Sequence, residues 1–208
     1  MSVNIHILKA SGRLEQFEAV ITTALKAGLA EVQTKITLPR LDVVVVDDND
    51  SAIPETGVGG SAPNAHLLYI YIDPTFHNLE TVLDFEIRST LAHELHHCAR
   101  WAAVGYGTTL LEAIVSEGLA DHFDIEVNGA EPKPWSVALP EKELQSILKK
   151  AQEEFNSEYI HSDWFYGSKE IPRWAGYSLG FKIVGDYISK TGKSASELVA
   201  TSHTEFIT

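Results

Sequence analysis

Apolar and polar residues alternate through Val3, Asn4, Ile5, His6 and Ile7, a period of two that predicts a strand over residues 3–8. Ser11-Gly12 then marks a turn. From Leu14 to about Gln33 the period changes. Leu14, Phe17, Val20, Ile21, Ala24, Leu25, Leu29 and Val32 repeat at the spacing of a long amphipathic helix. Residues 41–46 are dense in valine and predict a buried strand. Residues 47–64 carry Pro54, Gly57, Gly59, Gly60 and Pro63 and read as a long polar loop. Residues 67–72 predict a further strand, stopped by Asp73-Pro74 and taken as the edge of the sheet.

After residue 74 the pattern is helical. Residues 75–103 hold neither Pro nor Gly and form one helix, ended by Gly105-Tyr106-Gly107. A second helix over 109–127 opens on Thr109-x-x-Glu112, a capping box, and closes at Asn128-Gly129. A Pro-rich loop reaches Pro140, and a charged helix runs to about Phe155. An aromatic loop over 156–172 carries Tyr159, Trp164, Phe165 and Tyr166. A last long helix spans 173–190, and Ser194-x-x-Glu197 opens a short terminal one. Strands first and helices afterwards imply an α+β domain over residues 1–208, with an α/β lobe at 1–73 and a helical lobe at 74–208.

The helix over 75–103 contains His93-Glu94-x-x-His97. Residues four apart on a helix lie on one face, so His93 and His97 can turn two imidazoles to one metal ion. Glu94, about 100° further round, reaches a water on that ion rather than the ion itself. Zinc suits imidazole and carboxylate ligands with one position left for water. Glu112 and Glu117 compete to be the third ligand, but five positions separate them and they diverge by about 140°. Glu112 is claimed by the capping box, which leaves Glu117. Asp121 lies one turn beyond Glu117 on the same face and is placed to accept the free N–H of a ligand histidine. Gly118 is expected to bring the carboxylate's backbone close to the motif helix, and His96 lies near the site face.

His93-Glu94-x-x-His97, followed twenty positions later by Glu117-x-x-x-Asp121, resembles the gluzincin, thermolysin-like metallopeptidases. The segment 110–120 is similar, more narrowly, to an uncharacterised family of predicted zinc-dependent proteases. The metzincin branch needs Gly and His where Arg100 and Ala103 stand, and is excluded on ligand chemistry. The resemblance implies a zincin-like fold with the metal in the cleft between the lobes, one Zn²⁺ per chain, and a peptide or protein substrate. It implies that Glu94 is the general base. It also implies that an edge strand before the motif helix holds the substrate by backbone pairing, which points to Tyr69 and Tyr71 in strand 67–72. A Tyr or His after the third ligand is expected to meet the oxyanion. Tyr177 is the first candidate, with His161 and His203 behind it, and Arg173 is a candidate substrate contact. A non-catalytic zinc-stabilised peptide-binding module, or a latent protease gated by a partner, would use the same residues.

Composition adds limits. The 208 residues are 44% hydrophobic, enough for a sizeable core, and the formal charge of -13 argues against nucleic acid as a partner. A single cysteine, Cys98, permits no intrachain disulfide and reads as a buried apolar residue. No secretory signal and no apolar run of membrane length is evident, so a cytoplasmic enzyme without a membrane partner is expected. The acidic run 47–50 lacks the glutamate of an EF-hand loop, since Val58 stands at its twelfth position, and reads as a solvated turn. Gly57-x-Gly59-Gly60 is followed by no helix, so it is a weak phosphate loop.

Overall fold

The N-terminal alternation becomes strand β1, Val3–Ile7, in a computed structural model that describes residues 3–129 and 131–207. A 3₁₀ turn at Glu15–Phe17 leads into helix α1, Glu18–Lys35, and strand β2, Leu41–Asp47, returns parallel to β1. A parallel pair needs a crossover of about a dozen residues or more, and α1 supplies it. Strand β4, Leu67–Ile72, adds to β2 in parallel, and strand β3, Val58–Asn64, runs antiparallel to β4. The sheet is therefore mixed, in the order β1-β2-β4-β3. Val43, Val45, Leu68, Ile70 and Ile72 alternate with less buried neighbours and are fully buried. Each contributes about 1.5–3 kcal/mol of hydrophobic stabilisation.

Two sequence expectations need correcting. Residues 47–64 are not all loop, because their second part is β3. Gly59, Gly60 and Pro63 have poor strand propensity, and pairing to β4 overrides it. Strand 67–72 is not the edge. β4 is paired on both sides, and β3 ends the sheet. The acidic run behaves as expected of a turn, with Asp48 accepting from the Asp50 and Ser51 amides and the Ser51 hydroxyl.

Helix α2, Leu79–Ala103, carries the His-Glu-x-x-His motif. It starts four residues later than its sequence suggests, because Asp73 Oδ1 accepts from the Thr75 amide and hydroxyl at 2.8 and 2.6 Å and holds the chain in a turn. One stripe of α2 meets β3. Trp101 Nε1–H donates to the Ala62 carbonyl at 3.1 Å, and Cys98 Sγ lies 3.7 Å from the Asn64 carbonyl. At Gly60 an added Cβ would stand 2.6 Å from Thr90 Cγ2 and 2.7 Å from Glu94 Cγ. Cys98 is fully buried, as its sequence context implied, and burial, reinforced by the Glu94 charge, pushes its thiol up to about 12.

The chain divides into two compact units, Met1–Ala102 and Ala103–Thr208, so the motif histidines fall with the sheet. The second unit holds helices α3, Leu110–Asn128, α4, Glu141–Glu154, and α5, Ala175–Thr191. Helices α3 and α5 cross at two glycines. A Cβ on Gly118 would run into the Gly180 backbone, and one on Gly180 into the Ile114 carbonyl. Gly118 therefore serves the contact with α5, a partner its sequence context did not reveal. Gly176, on the same face as Gly180, lies against the Phe165 ring. The aromatic loop contains a π-helical turn, Ser162–Tyr166. Ser194 and Glu197 make half of the expected capping box, with the Ser194 amide donating to Glu197 Oε2 at 2.9 Å ahead of a 3₁₀ turn. Among the described residues, no helix is long and apolar enough to cross a membrane.

Candidate metal centre

Helical spacing brings the two motif imidazoles together. His93 Nε2 and His97 Nε2 are 3.1 Å apart, with the rings at 76° to one another. Two nitrogens bound at about 2.0–2.1 Å to one tetrahedral zinc ion would be about 3.3 Å apart, so the pair fits that ion closely. His97 is 4% exposed and Glu94 7%, while His93 is less buried. His96 is fully buried.

In the second unit α3 begins with the predicted capping box. Glu112 Oε2 accepts from the Thr108 amide, the Thr109 amide and the Thr109 hydroxyl at 2.8, 2.9 and 2.8 Å. Burial alone would raise the Glu112 carboxyl, but these bonds outweigh it and hold it below its ordinary value. His203 Nδ1 lies 3.7 Å from Glu112 Oε1, so this histidine attends the helix cap.

Glu117, in mid-helix, is 5% exposed. A carboxylate buried that far costs several kcal/mol of desolvation unless donors or a cation compensate. Tyr106 supplies one donor, its hydroxyl giving a 2.7 Å bond to Glu117 Oε1. Sequence reasoning missed Tyr106 and read Gly105-Tyr106-Gly107 only as a helix stop. The available signal was an aromatic between two glycines in the short connection joining the two motif helices. Burial first, then the Glu117 charge, pushes the Tyr106 phenol well above its ordinary value, so it remains a donor. Tyr159 is pushed up to about 12 by burial and then by the Glu117 and Glu112 charges.

Among the described residues, His93, His97 and Glu117 are a group of side chains that could hold a metal ion. Each offers one ligand atom, and these atoms all lie within 4.8 Å of one another. Two imidazoles and a carboxylate are a zinc donor set that leaves a fourth position for water.

The remaining expected residues lie as follows. Asp121 accepts from Ser136 Oγ–H at 2.6 Å and Trp135 Nε1–H at 3.3 Å, two partners that its sequence neighbourhood did not announce. Tyr177 is half-buried in an aromatic wall, 4.9 Å from the Phe165 ring and 6.4 Å from that of Trp135. Trp174 precedes α5 at φ 68, a left-handed conformation that costs a non-glycine residue about 1–2 kcal/mol. The Arg173 guanidinium lies 3.9 Å from the centre of the Trp174 ring. Exposed His161 stacks on Phe165 at 4.5 Å. Tyr69 and Tyr71 stack on each other at 5.9 Å, and Tyr71 shares a 2.8 Å bond with Ser61. Gly60 faces Ile70 across the ladder, so Tyr69 and Tyr71, on the alternate positions, lie on the opposite sheet face from Gly60 and Glu94.

Comparisons with known proteins bear on the same residues. Positions 21–208 match the model of a family described as "Predicted Zn-dependent protease (DUF2268)". The uncharacterized protein YjaZ of Bacillus subtilis (strain 168) is 27% identical over 137 residues, which is 60% of this chain and 51% of that protein. The chain spans about half the length of this curated relative. No solved structure matches it.

Proposed function

The chain belongs to this family of predicted Zn-dependent proteases, and from that premise we propose that it is a metallopeptidase of the gluzincin type. In this reading His93, His97 and Glu117 hold one Zn²⁺. The observation that carries it is the grouping of these three ligand atoms within 4.8 Å, with buried Glu94 next in sequence to His93. When bound, the ion would activate a water and polarise the scissile carbonyl.

Glu94 takes the proton of the attacking water and delivers it to the leaving amine. The backbone of β3 at Gly60 lies against one side of Glu94. The substrate is a peptide or protein segment laid along the free edge of β3, beside Glu94, with backbone pairing as the source of affinity. Tyr177 donates to the oxyanion, Arg173 contacts the substrate, and Asp121 and His96 orient the ligand histidines. The same residues would serve a binding module without turnover, but a module of that kind needs no buried carboxylate at position 94.

Elemental analysis of chelator-free protein tests the ligand set. About one zinc per chain is expected for wild type. His93→Ala, His97→Ala and Glu117→Ala should lose it. Glu112→Ala should keep it and lose about 0.5–2 kcal/mol of stability with its helix cap. Zinc lost from Glu112→Ala but retained by Glu117→Ala would reverse the assignment.

A further inference from the structure

We infer that Tyr106 is a positioning residue for the metal site, locking the Glu117 carboxylate in the orientation in which it binds the ion. The inference rests on the metal reading above but adds a residue that the sequence motif does not contain. Glu117 projects from α3 on three rotatable bonds, the last of which sets the plane of its carboxylate. The Tyr106 hydroxyl takes up a lone pair of Oε1 at 2.7 Å and so fixes the plane of the carboxylate. A ligand held in place before the ion arrives loses no torsional freedom on binding, and the affinity rises accordingly.

The loop that presents Tyr106 is itself braced. Gly107 adopts φ 88, a conformation that favours glycine, and a Cβ there would run into the Glu112 carboxylate. That carboxylate is pinned by three donors from Thr108 and Thr109. The two glutamates of α3 thus divide the work. Glu112 anchors the loop through the helix cap, and the loop carries the hydroxyl that orients Glu117.

The test is zinc affinity, measured by competition with a chromophoric chelator, together with the visible spectrum of the Co²⁺-substituted protein. Tyr106→Phe removes one oxygen and no packing. It should weaken zinc about 10–100-fold, as loss of a ligand's hydrogen-bond partner does elsewhere. It should also alter the Co²⁺ bands, a readout that a merely structural loop would not move. Gly107→Ala, which keeps the phenol but displaces its loop, should weaken zinc in the same direction. Tyr159→Phe alters a neighbouring phenol that feels the Glu117 charge but makes no hydrogen bond to it, and should leave zinc affinity at the wild-type value. Wild-type affinity and an unchanged Co²⁺ spectrum in Tyr106→Phe would overturn the inference, as would an equal loss in Tyr159→Phe. Absence of zinc from the wild-type protein would instead overturn the metal reading itself, so the two failures are distinguishable.

Discussion

Gly60→Ala should separate catalysis from metal binding. Gly60 lies on β3 against α2, where its added Cβ would stand 2.7 Å from Glu94 Cγ and 2.9 Å from Glu94 Oε1. Ordinary carbon contacts begin at about 3.4 Å, so the Glu94 side chain must retreat by roughly 0.7 Å. The nearest neighbours, Thr90 Cγ2 at 2.6 Å and Glu94 Cγ, stand close to their own backbones, so the overpacking costs about 1–3 kcal/mol, partly offset by the restriction that Gly→Ala places on the unfolded chain, worth about 0.4–1 kcal/mol. Folding stability should therefore fall by roughly 1–2 kcal/mol. Catalysis is less forgiving, since a misplacement on the order of 1 Å costs about 10²-fold. The expected result is full zinc content, a moderately lowered urea midpoint and a turnover of a mixed peptide library reduced by roughly 10²-fold in the folded protein. Wild-type turnover at matched zinc would refute the placement of Glu94 beside β3 as the reacting base. Loss of zinc would show that the methyl disturbs the ligands rather than the base.

Two further predictions concern the second unit. Gly180→Ala gains about 1 kcal/mol of helix propensity but drives a methyl into the Ile114 carbonyl, so a net loss of roughly 1–2 kcal/mol is expected in urea denaturation. A variant at least as stable as wild type would refute the close α3–α5 crossing. Burial holds the His122 imidazole below its ordinary value, outweighing the 2.9 Å contact with the Phe181 carbonyl and the Asp121 charge. Below about pH 6.5 the unfolded chain then binds a proton that the folded one resists, and stability falls with pH by up to about 1.4 kcal/mol per unit. Urea midpoints at pH 7, 6 and 5 should show that slope in wild type and a shallower one in His122→Gln. Identical slopes would contradict it.

The site was legible where its chemistry is local. His93, Glu94 and His97 share one helix, and helical spacing alone makes the two imidazoles converge. The capping box likewise lies within four residues, and assigning Glu112 to it left Glu117 as the candidate ligand, the carboxylate that groups with His93 and His97. What the sequence hid was tertiary. β3 has glycines and a proline where a strand would ordinarily carry branched side chains, and only its pairing to β4 and its closeness to α2 explain them. The edge position passed to β3 for the same reason, and with it went the argument for Tyr69 and Tyr71. Gly118 announced a close contact but not its partner, which is a glycine 62 positions on, at 180. Tyr106 lies in a loop with no periodicity, and its bond to Glu117 emerges only from the path the chain takes into α3.

Hydrolysis of a mixed peptide library by wild type and Glu94→Gln, at matched zinc content, tests the central claim most directly. An amide cannot accept the water's proton at neutral pH, and loss of a general base costs about 10²–10⁴-fold. Zinc should be retained, because Glu94 is not a ligand. Mass spectrometry should find cleavage by wild type and a rate lower by at least that factor in the variant. Equal cleavage by both proteins, or none by wild type loaded with zinc and binding peptide, would contradict the account.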